Sequence, residues 1–158
     1  MKKLTTLLLS LFIVIGFSNL SAQSYKVSSA DSELNWLGKK LTGQHNGTIE
    51  IESGKVMLEG EKVKGSFTID MTSINVEDLE GEYKAKLEGH LKSDDFFSVD
   101  KHKTATFKIT DSKKKGKTEY EITGDLTIKG ITNSISFPAE IMVSDKGQLE
   151  ANADITID

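Results

Sequence analysis

Apolar and polar residues alternate along much of this chain. In one run Phe67, Ile69 and Met71 are separated by Thr68 and Asp70. Successive side chains of a strand point to opposite faces, so this period of two predicts a half-buried β-strand. The same alternation returns four times, over residues 105–109, 120–128, 135–143 and 151–157.

Short polar segments, most of them containing glycine, separate the runs and predict turns. They cover residues 52–55, 58–61, 112–117, 129–133 and 144–147. Short connections between alternating strands imply antiparallel neighbours. Pro138, which faces outward on its strand, predicts a sheet edge or a bulge. Because each strand has one apolar face, the sequence predicts an all-β, mainly antiparallel fold that curls into a barrel around its own interior.

One segment follows a different period. Apolar residues spaced four apart lie on one face of it: Leu79, Tyr83, Leu87 and Leu91. This spacing predicts a short helix near residues 76–91, with Asn75 or Asp78 as its N-cap. The helix is expected to lie across one mouth of the barrel. A plug over apolar side chains and a lid over a ligand remain two alternatives for its role.

The first 22 residues have the pattern of a cleavable signal peptide. Lys2 and Lys3 precede an apolar run over residues 4–17, and Leu20-Ser21-Ala22 supplies a small-residue cleavage site. An uncleaved anchor helix is the alternative, but the run is shorter than the roughly 20 residues that span a membrane. We therefore expect a signal peptide at 1–22 and one domain at 23–158. The protein would lie in the periplasm or outside the cell, without a permanent membrane anchor.

Charge and composition exclude several classes of partner. Without Lys2 and Lys3, 18 of the 20 basic residues remain against 24 acidic ones, a net charge of −6. An acidic domain repels phosphate backbones, so nucleic acid is not an expected partner. The chain has no cysteine, and all of its basic residues are lysine. Disulfides, thiolate metal sites and bidentate arginine clamps are therefore not available.

Few residues suggest catalysis or metal binding. The three histidines, His45, His90 and His102, lack the spacing of a metal-ligand motif. Asp94 and Asp95 are adjacent and point apart on an extended strand, which favours a turn over an acid–base pair. The lysine-rich segment 113–117 predicts a solvated hairpin tip, with contact to anionic headgroups as the alternative. We expect no enzyme activity, no metal and no cofactor.

The interior is the remaining candidate site. The inward positions mix large residues with small ones, among them Ala105, Gly124, Ala139 and Ala153. Small inward residues leave room for a ligand, but they also let strands approach each other. The pattern by itself leaves a cavity and a packed core as open alternatives.

The order of several segments resembles a known family. These segments are 25–36, 45–47, 68–74, the helix, His90-Leu91-Lys92-Ser93-Asp94-Asp95-Phe96-Phe97, Ala105-Thr106-Phe107 and 124–132. In this order and spacing they resemble the YceI-like family. These are periplasmic, lipocalin-like barrels that bind polyisoprenoids and other long-chain amphiphiles. The resemblance implies an extended barrel with an elongated apolar tunnel, and a long-chain lipid or isoprenoid held without covalent chemistry.

The resemblance also implies candidate site residues. The expected tunnel lining is Trp36, Phe67, Ile69, Met71, Leu91, Phe96, Phe97, Phe107, Leu126, Ile128, Phe137 and Ile141. The expected headgroup contacts are His45, His90 and Lys92. For each lining residue, a core position without ligand contact is the alternative.

One departure from the family concerns the end of the chain. Family members usually continue with another strand that completes the barrel, whereas this sequence stops inside an alternating run at Asp158. A fragment lacking the final strand and a genuinely short protein are the alternatives. An open barrel exposes strand edges, so a homodimer is expected. A lipid carrier leads among the functional classes, followed by a stress-response or interaction module with a filled barrel, and then by an enzyme.

Overall fold

The computed structural model describes residues 22–40 and 43–157. The predicted signal peptide, apart from Ala22, lies outside the described residues. The first half contains β1 (Gln23–Lys26), a short 3-10 turn (Ser29–Asp31), β2 (Leu34–Lys40), β3 (Gly43–Glu59) and β4 (Lys62–Val76). The second half contains α1 (Gly81–Lys92), β5 (Thr104–Lys114), β6 (Glu119–Ile128), β7 (Ile131–Val143) and β8 (Leu149–Ala153).

The strands form a single antiparallel sheet. From β3 to β8, each strand pairs with the next one along the chain. Short turns join these neighbours, except that α1 and its flanking loops connect β4 to β5. At the other edge β3 has two partners, β2 along residues 43–49 and β1 along residues 55–58. The sheet curls into a nearly closed barrel with one helix. The predicted all-β, mainly antiparallel fold is confirmed.

One predicted turn is wrong. Residues 52–55 lie inside β3, which continues to Glu59. Ile51 pairs with Ile69 and Ser53 with Thr68, so Glu52 is an extra residue without a partner in β4. A β-bulge of this kind bends a strand without ending it. The polar residues that suggested a turn therefore mark a bulge.

The helix begins later than predicted. α1 covers residues 81–92 instead of 76–91, because β4 continues to Val76. Its N-cap is Glu80, whose side chain makes no capping hydrogen bond, so neither Asn75 nor Asp78 caps it. No helical residue is fully buried. Of the predicted apolar face, Tyr83 is 74% exposed, whereas Leu79, Leu87 and Leu91 are partly buried.

The last strand is shorter than the alternation predicts. β8 ends at Ala153, whereas the apolar run continues to Ile157. Continuing the β7–β8 register places Asp154 opposite Pro138. Proline has no backbone N–H to donate to the ladder, which gives β8 a physical reason to end there.

Candidate functional site

The concave face of the sheet carries a first apolar cluster, built from β3 to β8. Its buried members are Val56, Val63, Phe107, Tyr120, Ile122, Ala139 and Ile141. Around them pack partly buried side chains: Leu58, Phe67, Ile109, Leu126, Ile135, Phe137 and Leu149. The period-two alternation explains this set, because inward positions recur at every second residue.

A row of aromatic rings crosses this cluster. The ring centroids of Phe67 and Phe107 are 6.5 Å apart, and those of Phe107 and Phe137 are 5.5 Å apart. The Phe107 ring lies directly over Gly124 of β6, where a Cβ atom would collide with it. Gly124 therefore does not leave room for a ligand, since Phe107 already fills the space above it.

A second apolar cluster lies under the exit of α1. Its buried members are Met71, Ile74, Val99 and Ala105. The partly buried members are Ile49, Ile69, Leu91, Phe97 and Ile128. The loop after the helix therefore closes one part of the concave face with its own apolar side chains.

Phe96 and Phe97 point in different directions from this loop. Phe97 packs into the second apolar cluster, whereas Phe96 is 44% exposed. Their rings meet edge to face with centroids 4.6 Å apart, a favourable geometry for aromatic pairs. The His90 ring lies 5.9 Å from the Phe96 ring. Phe96 and His90 thus form an exposed surface beside the partly buried Phe97.

Asp94 holds the same loop in place. The Ser98 hydroxyl donates to one carboxylate oxygen of Asp94, and Lys101 Nζ lies 2.6 Å from the other. Lys129 Nζ donates to the Asp94 carbonyl oxygen at 2.7 Å. The bond from Lys101, followed by the bond from Ser98, lowers the pKa of Asp94. Asp94 therefore lies in a turn, as predicted, and connects the helix exit to the β6–β7 turn.

His45 lies at the opposite end of the helix. Its Nδ1 atom is 2.8 Å from Asp78 Oδ2, while the Asn46 backbone N–H donates to Asp78 Oδ1 at 3.1 Å. The bond to His45 is the largest cause that lowers the pKa of Asp78. This pair connects β3 to the segment that leads into α1.

Trp36 lies apart from both clusters. Its indole N–H donates to the Thr48 carbonyl oxygen at 3.2 Å. Its ring packs against Gly47, where an added Cβ would also meet the Asn75 carbonyl oxygen. Trp36 is therefore a half-buried residue of the β2–β3 pair.

The structure brings ten of the fifteen predicted site residues into the two clusters. They are Phe67, Ile69, Met71, Leu91, Phe97, Phe107, Leu126, Ile128, Phe137 and Ile141. Their roles as ligand contacts stay predictions. The headgroup candidates do not lie together, since His45 precedes α1 and His90 is in its last turn, about 14 Å along the axis from Gly81. Lys92 shares the helix exit with His90.

Sequence reasoning missed several members of the clusters. Val56 and Val63 lie near the turn of the β3–β4 hairpin, and Val99 follows the helix exit. Tyr120 and Ile122 belonged to the recognised alternation and were available as candidates. Val99 follows Ser98, which has a positive φ of 51° and is buried, and no periodic pattern marks such a loop.

Two depressions of the described surface are open. One has a volume of about 890 Å³ and lies where β8 leaves β7, lined in part by Tyr120, Phe137, Ala139 and Ala153. The other has a volume of about 470 Å³ and lies over β1, β3 and β4, with mostly polar lining. Only the first depression includes a predicted lining residue, Phe137.

Ionisable groups in the described residues form surface pairs. Four carboxylates have a lowered pKa, mainly because each accepts a hydrogen bond from a cationic or histidine side chain: Asp78, Asp94, Asp111 and Glu121. Over residues 22–40 and 43–157, no three histidine or carboxylate side chains converge as a metal site would require. In the same part of the chain, no helix is long and apolar enough to cross a membrane.

Comparison with known proteins identifies the family. The model of the YceI-like domain matches residues 25–158, so this chain belongs to the YceI-like family. Family membership supports a role as a binding protein. Proteins of this family are generally periplasmic.

Curated relatives match part of the chain. A UPF0312 protein of Ectopseudomonas mendocina is 33% identical over 99 residues, which cover 61% of this chain and 49% of the relative. UPF0312 protein plu2095 of Photorhabdus laumondii is 36% identical over 87 residues, which cover 49% and 44% of the two chains. The matched region therefore spans about half the length of these relatives.

Two solved structures are also similar. The YceI protein of Campylobacter jejuni is 21% identical, with a TM-score of 0.46, and the match covers 94% of this chain and 75% of that one. BcnA of Burkholderia cenocepacia is 17% identical, with a TM-score of 0.44, covering 77% and 68%.

Proposed function

We propose that this protein holds a long-chain amphiphile, a polyisoprenoid or a fatty acid- or amide-like lipid, against the concave face of its sheet. The observation that carries the proposal is the set of twelve partly buried apolar side chains that surround the two clusters. They lie on the inside of the curl and still have accessible surface. Each CH₂ of a tail buried against them contributes about 0.8 kcal/mol, so a long tail supplies affinity with few polar contacts.

The polar end of the ligand would contact the helix exit. The His90 ring lies there beside the exposed Phe96, and Lys92 is the last residue of α1. Both side chains can donate hydrogen bonds to an oxygen-rich headgroup. The His45 ring is already engaged by Asp78 at the other end of α1. We therefore assign contact with the headgroup to His90 and Lys92. The headgroup contact predicted for His45 is not part of this assignment.

Binding without catalysis is part of the same proposal. Catalytic acids and bases have pKa values matched to their task, often raised or lowered toward neutrality. The four displaced carboxylates described above instead have pKa values lowered by surface partners, which keeps them ionised. Such pairs support structure more readily than proton transfer.

The place of action would be the periplasm or the cell exterior. This proposal rests on the signal-peptide pattern of residues 1–22 and on the general location of the family.

A second function is favoured by one observation. The Phe107 ring over Gly124 shows that part of the concave face is filled by the protein itself. A filled interior would suit a stress-response or interaction module that acts through its surface. In that case long-chain ligands would not bind to the wild-type protein.

The test compares two neighbouring residues on opposite faces of β7. Phe137 points into the first apolar cluster, and Ser136 points outward. With a fluorescent long-chain fatty acid as probe, Phe137→Asn is expected to weaken binding about tenfold or more, because a polar amide replaces a ring that contacts the tail. Ser136→Asn is the matched control and should bind like wild type.

Two further variants complete the experiment. Phe137→Leu keeps the position apolar and should restore most of the affinity, which separates loss of the site from loss of the fold. His90→Ala and Lys92→Ala should reduce the preference for the acid over an alcohol of equal chain length. No binding to wild type, or equal weakening by Phe137→Asn and Ser136→Asn, contradicts the proposed function.

A further inference from the structure

Half of β7 has an unpaired edge. β8 pairs with β7 from Ala139 to Val143, while residues 131–138 have a partner only on the β6 side in the described part of the chain. The run from Gly130 to Ala139 contains no charged residue, although 28% of the chain is charged. Charged side chains are one of the devices that prevent an exposed sheet edge from pairing with another strand. Their absence leaves this edge open to pairing.

The hydrogen-bonding groups of this edge follow from the register. The Ile141 N–H donates to Thr118 on the β6 side at 2.8 Å, and the Ser144 N–H donates to Gln148 on the β8 side at 2.8 Å. Because N–H groups alternate sides along a strand, odd residues of β7 face β6 and even residues face outward. The free edge therefore presents the N–H groups of Thr132, Ser134 and Ser136, whereas Pro138 has none.

The segment after β8 has the pattern that this edge requires. Continuing the observed register places Ile155 opposite Phe137, Thr156 opposite Ser136 and Ile157 opposite Ile135. Phe137 and Ile135 pack on the first apolar cluster, so both isoleucines would extend it. Ile155 is now 50% exposed and Ile157 is 51% exposed. Thr156 would point outward beside the Ser136 hydroxyl.

We propose that the free edge of β7 is a strand-docking site and that its occupant is residues 154–157 of the same chain. Pro138 interrupts the ladder at Asp154, so a hinge at this residue would separate β8 from the docking segment 154–157. When residues 154–157 dock, they cover the depression of about 890 Å³ described above, beside Tyr120 and Phe137. This segment follows directly after Ala153, the last residue of β8. Such a short connection favours it over a second copy of the chain.

The docking site rests on register and edge chemistry, and it does not depend on the proposed lipid. A second copy that adds a strand to the same edge, the homodimer predicted from the sequence, is the competing occupant. Cysteine pairs distinguish the two occupants and also test the register, because the chain has no cysteine of its own.

The experiment uses Ser136→Cys with Thr156→Cys in the full chain. Residues directly opposite in a hydrogen-bonded pair have Cα atoms about 5.5 Å apart, within the range for a disulfide. The matched control is Ser134→Cys with Thr156→Cys, a diagonal pair about 7–8 Å apart. Both substituted serines and Thr156 are exposed, so the fold is not expected to change.

Under mild oxidation, the 136–156 pair should form an intramolecular disulfide roughly ten times faster than the 134–156 pair. The rate should not depend on protein concentration, as non-reducing gels and mass spectrometry would show. Disulfide-linked dimers would overturn the proposal in favour of a second copy. Equal rates for the two pairs, or no bridge at 136–156, would overturn the register.

Discussion

At the scale of single residues, small side chains on the concave face have different roles. Gly124 lies under the Phe107 ring, so its lack of a Cβ lets an aromatic side chain cross from β5 over β6. Gly89 lies on exposed helix surface with open space around it. A pattern of small and large residues does not distinguish these cases, because it does not show which neighbour fills the space.

The first prediction concerns Gly124. Gly124→Ala should destabilise the protein by about 1–3 kcal/mol, because the new methyl group displaces the Phe107 ring from a packed cluster. Gly89→Ala is the control and should stabilise the helix by up to about 1 kcal/mol. Urea unfolding of both variants provides the measurement. An unchanged stability for Gly124→Ala would show that Phe107 does not pack as described.

The second prediction is a pH dependence at Asp94. Its folded pKa is lowered by Lys101 and Ser98, so its ionised form stabilises the folded state above the unfolded pKa of about 3.9. This contribution is lost as the pH falls through the lower folded pKa. Asp94→Asn should therefore be less stable than wild type at pH 7, and the difference should narrow below about pH 4.

Asp95→Asn is the matched control for that prediction. Asp95 is the exposed neighbour in the same turn, and it makes none of the contacts that hold Asp94. Its substitution should leave the midpoint of urea unfolding nearly unchanged at pH 3 and at pH 7. If the loss of stability caused by Asp94→Asn is the same at pH 3 and pH 7, the ionised carboxylate does not anchor the loop.

At the scale of elements, helix α1 is held to β4 by polar contacts. Glu88 Oε1 accepts the buried Val76 N–H at 2.9 Å, and Lys84 Nζ donates to Asn75 Oδ1 at 2.7 Å. The helix itself buries no residue completely. The helix is therefore attached to the surface of the sheet by a few contacts and is not part of the core. This attachment agrees with both predicted roles, a plug over apolar side chains and a lid over a ligand.

The third prediction tests this attachment. Glu88→Ala leaves the Val76 N–H, on a residue with 0% exposure, without its acceptor. An unsatisfied buried donor costs about 1–3 kcal/mol. In this variant, amide hydrogen exchange at residues 81–92 should become faster than in wild type, whereas exchange in strands β5 and β6 should change less. Glu82→Ala is the control, because its exposed carboxylate pairs with Lys86 on the helix surface, and it should change little.

Much of the strand arrangement could be predicted from the sequence, and the exceptions have physical causes. The alternation around Phe67 and Phe107 identified inward positions because burial on one face enforces a period of two. The helix start was misplaced because Val76 continues β4 and is buried there, although Leu79 and Tyr83 fit a helical spacing. Local periodicity does not reveal which of two neighbouring elements contributes the tertiary contacts.

The candidate site was predictable to a smaller extent. Inward residues such as Ile69 and Leu126 followed from their strands. Phe96 and Phe97, adjacent in an irregular loop, separate into an exposed and a partly buried ring. The same loop contains Ser98, whose φ is a positive 51°, and is held by the Asp94 contacts. No spacing rule predicts it.

At the scale of the whole molecule, the protein is a curled antiparallel sheet with an apolar inside. It belongs to the YceI-like family, and its concave face combines filled regions with accessible apolar surface. The free β7 edge and the segment 154–157 lie next to that surface. Closure of the edge would complete one wall of the concave face, so edge docking and ligand retention should be coupled.

Native mass spectrometry of the purified protein, followed by solvent extraction, tests the central claim most directly. We expect a discrete mass above that of the polypeptide, which solvent extraction identifies as a polyisoprenoid or a long-chain fatty acid or amide. Incubation with such lipids should produce the same complex from any ligand-free protein. A mass equal to the polypeptide alone, both before and after incubation with long-chain fatty acids and polyprenols, would contradict the binding function.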